Sequence, residues 1–380
     1  MFIKSIQHGP TQALYAAIEL IKDAKEEVLL STFVLEGQAH AGKCLIDAIL
    51  QSKATKIKLL TNHFFLYSAK TLDYLKLFAC LGEKVETRVW KHSFMNANHA
   101  KFIVVDGLKC SLGGYNFQEA FFMSEENAWS DLGIVIYDKT LSQELTSYFN
   151  ILWNKSSLID CPSSKKKTNF FTCPVLPKGR ILELNYLIDK QDNISVLTQA
   201  PKKWFQHSKK STSFLNMMSA FESATKTIDI LSPNVIDSCL WKILTEKLSL
   251  FKNFKIRILT NYGLNFSQSI AYLWHTEETL LCSKKNKNLQ IRYSNGALNH
   301  KNKKVYLESD EHNWPVFIDH SKYFCIDNET FYIGSFNMDK ISLHASGECG
   351  IIVQNEPEVA TKINEFVFEA NWQKATELIC

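Results

Sequence analysis

Two stretches of this chain, NHAKFIVVDGLKCSLGGYN at 98–116 and DHSKYFCIDNETFYIGSFN at 319–337, follow the same pattern. Both contain His-x-Lys, four further residues and Asp; after six more residues both contain Gly, then Gly or Ser, any residue and Asn. The shared positions are His99, Lys101, Asp106, Gly113, Gly114 and Asn116 in the first stretch and His320, Lys322, Asp327, Gly334, Ser335 and Asn337 in the second. Because every spacing agrees, we interpret the two stretches as copies of one unit that carries chemistry.

The local sequence of each copy predicts a β-hairpin with polar side chains at one end. FIVV at 102–105 and YFCI at 323–326 favour strands, and in a strand the His and Lys two residues apart point to the same face. The Asp then lies in a turn-forming segment, and the Gly-Gly or Gly-Ser pair allows the backbone to approach closely. Each copy therefore offers an imidazole, an ammonium and an amide on one small surface, a set that suits a phosphoryl group.

The rest of the chain repeats as well, at a spacing of about two hundred residues. The clearest pair is KIKLLTN at 56–62 and KIRILTN at 255–261. Strands and helices alternate around both heptapeptides, with further helices predicted at about 68–81 and 267–282. This alternation predicts an α/β fold, in which each half is a mostly parallel mixed sheet flanked by helices.

The repeat divides the chain into a first half at 1–155, a linker at 156–205 and a second half at 206–380. The linker is poorly patterned and is expected to contain short strands of its own. Lysines cluster there and elsewhere, at 165–167, 202–203, 209–210, 284–287 and 301–304. These clusters favour either a solvated surface or attraction to anionic lipid headgroups.

The composition limits the class of protein. With 380 residues, 46% of them hydrophobic and 22% charged, the chain is globular with a substantial core. The net charge of +4 is too weak for a protein that coats nucleic acid. No apolar run reaches the roughly 18 to 20 residues that span a bilayer, and MFIKSIQHGP at 1–10 lacks the apolar core of a secretory signal. The ten cysteines, without a C-x-x-C pair, are expected to be reduced thiols.

The paired motifs resemble those of the phospholipase D superfamily, and the resemblance covers both halves. It implies that two α/β/α halves, related by a pseudo-twofold axis, form one shared active site within a monomer. One histidine would attack phosphorus to give a phosphohistidine, and the other would protonate the leaving alcohol. Relatives favour His99 as the nucleophile and His320 as the acid and base, although the near symmetry leaves these roles almost interchangeable.

The same resemblance implies roles for the other positions. The residues that would hold the non-bridging phosphate oxygens are Lys101, Lys322, Asn116 and Asn337. The residues that would be structural are Asp106, Gly113, Gly114, Asp327, Gly334 and Ser335. Each histidine would be oriented by a later carboxylate of its own half, which assigns Asp131 to His99 and Glu348 to His320. Two lysines and two amides would serve in place of a metal, so no cofactor is expected.

Further segments resemble bacterial cardiolipin-synthase-like enzymes. GGYNFQEAFF at 113–122 is followed in the sequence by W-x-D at 129–131. The segment GSFNMDKISLHASGE at 334–348 is similar to the second motif of those enzymes. The chain departs from them because their N-terminal membrane helices are not found and Ile341 replaces the Arg before their Ser. A phospholipase, in the bacterial cytoplasm or secreted as an effector, therefore stays open beside a synthase.

Three functions remain. The first is an enzyme that hydrolyses or transphosphatidylates a glycerophospholipid, peripherally attached to an anionic membrane surface and with no obligatory nucleic acid. The second is a metal-independent nuclease that uses the same phosphohistidine chemistry on DNA or RNA. It ranks lower because the superfamily's nucleases are often single-motif chains that dimerise, whereas this chain contains both motifs. The third is a non-catalytic, membrane-associated scaffold.

Overall fold

The computed structural model describes residues 1–36, 40–62, 78–81, 83–91, 96–118, 128–159, 179–202, 210–261, 286–294 and 319–377. The helices predicted at about 68–81 and 267–282 fall mostly outside these residues, as do most of the lysine clusters. Within the described residues the chain forms two large mixed β-sheets with helices packed on their faces. The predicted α/β class is therefore confirmed.

The first sheet combines the first half of the chain with two strands of the predicted linker. Its strands, in their order across the sheet, are β8 (Ser157–Leu158), β4 (Val85–Trp90), β3 (Lys56–Asn62), β2 (Glu27–Ser31), β5 (Phe102–Val105), β6 (Lys109–Gly113), β7 (Asp131–Tyr137), β1 (Phe2–Gly9) and β9 (Arg180–Leu187). The heptapeptide KIKLLTN is β3, whose last four residues are buried. The first motif forms the antiparallel β5–β6 hairpin, as its sequence predicts.

The second sheet repeats this arrangement. Its strands, in their order across the sheet, are β10 (Ile194–Gln199), β16 (Glu348–Val353), β15 (Thr330–Gly334), β14 (Tyr323–Ile326), β11 (Thr227–Leu231), β12 (Lys255–Thr260), β13 (Leu289–Tyr293) and β17 (Thr376–Glu377). The second motif forms the β14–β15 hairpin. Apart from the additional edge strand β9, the order of equivalent strands is the same in both sheets.

The expectation that the sheets are mostly parallel was wrong. Parallel pairing joins only β2 to β3 and β3 to β4 in the first sheet, and β11 to β12 and β12 to β13 in the second. The other strand pairs of both sheets are antiparallel. A parallel pair needs a long crossover such as a helix, whereas a motif hairpin closed by a tight turn must be antiparallel.

The helices occupy two kinds of position. Those that cover the outer faces of the sheets are Gln12–Lys22, His40–Gln51, Thr212–Ser223 and Ser238–Leu250. Those that close the two halves are Lys139–Asn154 and the run of Pro357–Asn364, the π-helix Glu365–Glu369 and Ala370–Trp372. A short helix at Lys340–His344 precedes β16.

One hydrophobic core is shared by both halves. Its members include Phe102 and Leu112 of the first hairpin, Tyr323 and Ile333 of the second, and Phe149 and Phe368 of the closing helices. Two further cores lie beneath the outer helices, one in each half. The closing helices therefore lie between the sheets, and the halves pack directly against one another.

The predicted linker takes part in both sheets. Its strand β9 pairs with β1 at the edge of the first sheet, and β10 pairs with β16 at the edge of the second. The hydroxyl of Tyr148, in the first closing helix, donates to the backbone carbonyl of Gln199 in β10 at 2.6 Å. The segment thus fastens the two halves together as well as connecting them.

The thiol expectation is correct in part. Five described cysteines are free thiols: Cys44, Cys110, Cys239, Cys325 and Cys349. Cys80 is disulfide-bonded, so the expectation was wrong at that position. Separately, no helix in the described part of the chain is both long and apolar enough to cross a bilayer.

Candidate active site

Each motif places its His and Lys directly before a strand. His99 and Lys101 precede β5, and His320 and Lys322 precede β14. The two lysines are buried, with exposed fractions of 1% and 0%, while the imidazoles keep 12% and 15% of their side-chain surface exposed. The imidazoles are therefore accessible to a substrate, and the lysines are enclosed beside them.

Each histidine contacts the carboxylate of the opposite half. Nδ1 of His99 lies 2.9 and 3.0 Å from the two carboxylate oxygens of Glu348. Nδ1 of His320 lies 2.8 Å from Oδ2 of Asp131. The expectation that each carboxylate orients the histidine of its own half was therefore wrong. A carboxylate at Nδ1 accepts a hydrogen bond from the N–H of that nitrogen, which leaves the lone pair of the neutral ring on Nε2.

Backbone contacts between the halves explain why each histidine meets the carboxylate of the other half. Asn98 forms a parallel bridge with Gly347, and Ser130 forms one with Asp319. In both bridges the N–H of the motif histidine donates to the carbonyl of the facing segment at 2.7 Å. Because Gly347 and Ser130 each immediately precede a carboxylate, the bridge brings that carboxylate to the histidine of the other half.

The two lysines have lowered pKa values. Nζ of Lys101 donates to the carbonyl of His99 at 2.6 Å, and Nζ of Lys322 donates to the carbonyl of His320. Burial lowers the pKa of Lys101 to about 7, against the effect of Glu348 and with the charge of the other lysine adding to it. Burial also lowers the pKa of Lys322 to about 8, although nearby carboxylates oppose the shift. A bound anion would favour the charged form of both lysines.

Burial and the lysine charges favour the neutral form of both imidazoles. Burial lowers the pKa of His320 to about 3, and the charge of Lys322 adds to this against the opposing contact with Asp131. Burial and the two lysines hold the pKa of His99 well below its ordinary value. A neutral imidazole with a carboxylate at Nδ1 has the form required for nucleophilic attack through Nε2.

The two carboxylates have different surroundings. Glu348 is fully buried, accepts hydrogen bonds from the hydroxyls of Ser335 and Ser346, and has a pKa that burial raises to about 7. Asp131 accepts instead from the backbone N–H that follows it, at 2.8 Å. Gly114 is equivalent to Ser335, but a Cβ there would lie 2.3 Å from Oδ1 of Asp131. The first half therefore combines Gly114 with Asp131, whereas the second half combines Ser335 with Glu348.

The motif aspartates lie at the opposite end of each hairpin from the histidines. The carboxylate of Asp106 accepts the backbone N–H groups of residues 25–27, with shortest distances of 2.8 to 3.0 Å. That of Asp327 accepts those of residues 225–227 at 2.7 Å. Both aspartates have a positive φ, of 53° and 55°. These contacts tie each motif turn to the segment before the neighbouring strand.

The remaining motif positions are close-packed. Gly113 and Gly334 lie against the next strand, where a Cβ would lie 2.1 and 2.5 Å from a backbone carbonyl oxygen. Oδ1 of Asn116 accepts the N–H of Val34 at 3.2 Å. Oδ1 of Asn337, in a side chain only 9% exposed, has no hydrogen-bond partner among the described residues. The two amides are thus buried like the lysines but differ in their contacts.

Aromatic rings pack on both histidines. Phe33, just after β2, meets the ring of His99 edge to face with centroids 4.8 Å apart, and Nζ of Lys101 lies 5.1 Å from the Phe33 centroid. The ring of Trp129 lies 5.6 Å from that of His320. Phe33 was not among the residues predicted from the sequence, although a residue directly after a buried strand is a common place for a functional side chain.

The described residues form a site suited to phosphoryl transfer. Two imidazoles can serve as nucleophile and acid, and two ammonium groups can stabilise the charge on phosphate oxygens. No group of three or more His, Cys, Asp or Glu in the described ranges is arranged to hold a metal ion.

Comparisons with known proteins cover both halves of the chain. The family model "Cardiolipin synthase, PLD-like domain" matches residues 17–153 and 217–372. The solved phosphatidylserine synthase of Haemophilus influenzae Rd KW20 is similar, with a TM-score of 0.67 and 14% identity over 100% of this chain and 89% of that chain. The polyphosphate kinase of Porphyromonas gingivalis has a TM-score of 0.55 and 12% identity over 97% and 50%. No curated protein matches the sequence. These two structures share the fold of this chain.

Proposed function

Because the chain belongs to the cardiolipin synthase, PLD-like domain family of phospholipase D superfamily enzymes, we propose that it hydrolyses or exchanges the headgroup of a glycerophospholipid. The observation that carries the proposal is the pair of crossed histidine–carboxylate contacts beside two buried lysines. This arrangement provides a nucleophile, an acid and two lysines that can bind an anion in one site. The choice of a lipid among phosphodiesters is supported by the family description.

In the first step, Nε2 of His99 attacks phosphorus and forms an N–P bond. The P–O bond to the headgroup breaks, its electron pair stays on the headgroup oxygen, and His320 donates a proton to that oxygen. Lys101 and Lys322 hold the non-bridging oxygens. Their charges lower the pKa of His320, and a bound phosphate anion offsets these charges, so substrate binding favours the protonated acid.

In the second step, water or an alcohol attacks the phosphohistidine. His320 takes the proton of the attacking hydroxyl, and the N–P bond to His99 breaks with its electron pair returning to Nε2. Water gives phosphatidic acid, while an alcohol gives a new phosphatidyl ester. The enzyme therefore needs one intermediate for hydrolysis and for transfer.

The different carboxylates support this division of roles. The pKa of Glu348 is raised to about 7, so near neutrality much of it is uncharged and gives little support to a cationic His99. Asp131 instead contributes attraction that raises the pKa of His320. A neutral His99 suits the nucleophile, and a His320 that can be protonated suits the acid.

The substrate lies in a bilayer, so the enzyme must work at its surface. We infer peripheral contact with anionic lipid, which lysines near the membrane would strengthen. A phosphodiester of DNA or RNA fits the same chemistry and is the alternative that the assay must separate.

The test is lipid mass spectrometry on mixed phospholipid vesicles incubated with the protein, a chelator and a low concentration of ethanol. We expect phosphatidic acid or phosphatidylethanol from the wild type and neither from His99→Ala or His320→Ala. His344→Ala is a matched control, because His344 also pairs with a buried aspartate, at 3.0 Å from Asp237, but lies outside the motifs.

Loss of product in both motif variants but not in the control would support the proposal. Absence of lipid product from the wild type, with cleavage of oligonucleotides in a parallel assay, would replace it with the nuclease function. Activity that survives in both motif variants would assign the chemistry to other residues.

A further inference from the structure

The heptapeptides KIKLLTN and KIRILTN both end in a buried asparagine. Asn62 is the last residue of β3 and is 5% exposed, while Asn261 directly follows β12 and is 0% exposed. In each half this strand is parallel to a neighbour that is itself antiparallel to the first strand of the motif hairpin. Both asparagines therefore lie at the end of the sheet where the motif histidines are found.

Each asparagine side chain holds both backbone groups of the residue before a motif histidine. Oδ1 of Asn62 accepts the N–H of Asn98 at 2.9 Å, and its Nδ2 donates to the carbonyl of Asn98 at 2.7 Å. Oδ1 of Asn261 accepts the N–H of Asp319 at 3.1 Å, and its Nδ2 donates to the carbonyl of Asp319 at 2.8 Å. Each amide thus exchanges two hydrogen bonds with one residue, as the opposite residue of an antiparallel strand would.

The two residues held in this way also bridge the halves. Asn98 forms its bridge with Gly347, which immediately precedes Glu348. Asp319 forms the corresponding bridge with Ser130. In both cases the N–H of the following histidine donates across the bridge at 2.7 Å. Each asparagine therefore fixes the segment on which one of the crossed histidine–carboxylate contacts depends.

Asn62 has an additional contact in the first half. Its Nδ2 also donates to the carbonyl of Phe33 at 3.1 Å, and the ring of Phe33 packs against His99. Pro233, two residues after β11, occupies the equivalent position in the second half, and its carbonyl accepts instead from the hydroxyl of Thr260 at 3.0 Å. Asn62 therefore holds two segments beside its histidine, whereas in the second half two residues share these contacts.

We propose that Asn62 and Asn261 are positioning residues that hold the two motif histidines in register with the carboxylates of the opposite halves. Without the amide, the backbone before the histidine loses two partners and the imidazole is no longer fixed against its carboxylate. A misplacement of about 1 Å can reduce a rate by about a hundredfold. Each asparagine acts through the histidine beside it and does not touch the substrate. This inference rests on the proposed function, since it concerns the geometry of the same site.

The first test measures the kinetics of lipid turnover on mixed phospholipid vesicles. We expect Asn62→Ala and Asn261→Ala to lower kcat by at least about tenfold and to change KM by less than about twofold, because the lysines that bind the phosphate remain. The fall should be larger for Asn62→Ala, which also releases Phe33. Asn364→Ala is the matched control and should keep the wild-type kcat, because Asn364 is also buried but contacts Asn328 in the turn of the second hairpin, away from the histidines.

The second test observes the histidines directly and does not depend on activity. Nitrogen NMR spectra of histidine-labelled protein are recorded above the pKa of Glu348, which is about 7, so that this carboxylate is charged. Asn62→Ala should shift the Nδ1 resonance of His99 and leave that of His320 nearly unchanged. Asn261→Ala should do the reverse. A merely structural role would disturb both histidines together or neither of them.

Asn62→Asp keeps the test decisive if the alanine variants do not fold. The carboxyl group has the size of the amide and can accept the N–H of Asn98, but while it is charged it has no proton to donate to the carbonyls of Asn98 and Phe33. Protonation restores one donor. Turnover relative to the wild type should therefore be low at neutral pH and should rise as the pH falls.

Three results would each overturn the inference and leave the proposed function standing: wild-type kcat in both alanine variants, equal shifts of both histidines in either variant, or a relative turnover of Asn62→Asp that does not depend on pH. A wild type that cleaves no lipid would remove the proposed function, while the NMR shifts would still decide the role of the two asparagines. The two failures are therefore distinguishable.

Discussion

Lys101 is a cation whose charge depends on pH within the physiological range. Its pKa of about 7 results from burial, against the attraction of Glu348 and with the repulsion of Lys322. A lysine is charged below its pKa, so an anion should bind the site best in mildly acidic solution. The affinity should then decline as the pH rises through about 7.

This decline can be measured with sulfate, whose own charge is constant over the range. We expect its competitive inhibition constant to rise about tenfold by one pH unit above the pKa of Lys101. Lys101→Arg stays charged, so only Lys322, with its pKa of about 8, should titrate and the decline should begin at higher pH. An inhibition constant independent of pH in the wild type would contradict this prediction.

At the level of elements, the motif turns are held by carboxylates rather than by their own backbone alone. Asp106 takes three backbone N–H groups from the segment before β2. Hydrogen bonds to a charged group each stabilise more than neutral ones, so Asp106→Ala should lower the free energy of unfolding by about 2 kcal/mol. Turnover by the folded fraction should not change, because the turn lies at the far end of the hairpin from His99.

Urea unfolding at two pH values checks this prediction. Hydrogen bonds from the backbone lower the pKa of Asp106 against the effect of burial. Its contribution is therefore present above the ordinary Asp pKa and is lost as the pH falls through the lowered value. The difference between wild type and Asp106→Ala should shrink in acid, and Asp106→Asn, which keeps one acceptor oxygen, should lie between them. If the urea midpoint of Asp106→Ala equals that of the wild type at neutral pH, Asp106 does not stabilise the fold and the prediction is wrong.

Much of each element is readable from the sequence. The motif hairpins and the alternation of strands and helices around KIKLLTN and KIRILTN were predicted because their apolar period and turn residues are local signals. Strand direction was predicted wrongly, because it depends on which strands become neighbours. The joining of β9 and β10 to the two sheets could not be read either, since their partners are far away in the sequence.

At the level of the whole molecule, the shared core makes the two halves one cooperative unit. Both hairpins and both closing helices contribute to it. We therefore expect a single unfolding transition in differential scanning calorimetry, with equal calorimetric and van't Hoff enthalpies. Two separate transitions would show that the halves unfold independently.

The contact of each histidine with the carboxylate of the other half leads to a second prediction about the whole molecule. At a pH well above the Glu348 pKa of about 7, Glu348→Gln removes the charge that faces Nδ1 of His99, so it should shift the ¹⁵N resonance of that nitrogen and leave His320 nearly unchanged. Asp131→Asn should do the reverse. Nitrogen NMR of histidine-labelled protein, with His99→Ala and His320→Ala to assign the signals, measures both. A shift confined to the histidine of the mutated half would contradict the crossed arrangement.

In the candidate site, too, some features could be predicted from the sequence and others could not. Both histidines and both lysines were predicted from motif spacing, because their residue types recur at fixed intervals, whereas the two carboxylates were predicted only from the resemblance to the superfamily. The pairing of His99 with Glu348 was not, because it is set by the bridge between Asn98 and Gly347. A contact between residues so distant in the chain leaves no periodic signal.

The crossed contacts also describe how such an enzyme could arise. A protein with one motif would leave its histidine without a carboxylate until a second copy docked about a twofold axis, each copy lending the other its acidic residue. Gene fusion removes the concentration dependence of that encounter. After fusion the two copies no longer need to have the same sequence. One half can then have Gly114 with Asp131, and the other can have Ser335 with Glu348. In this chain the two halves meet through the contacts that two such copies would make across a twofold axis.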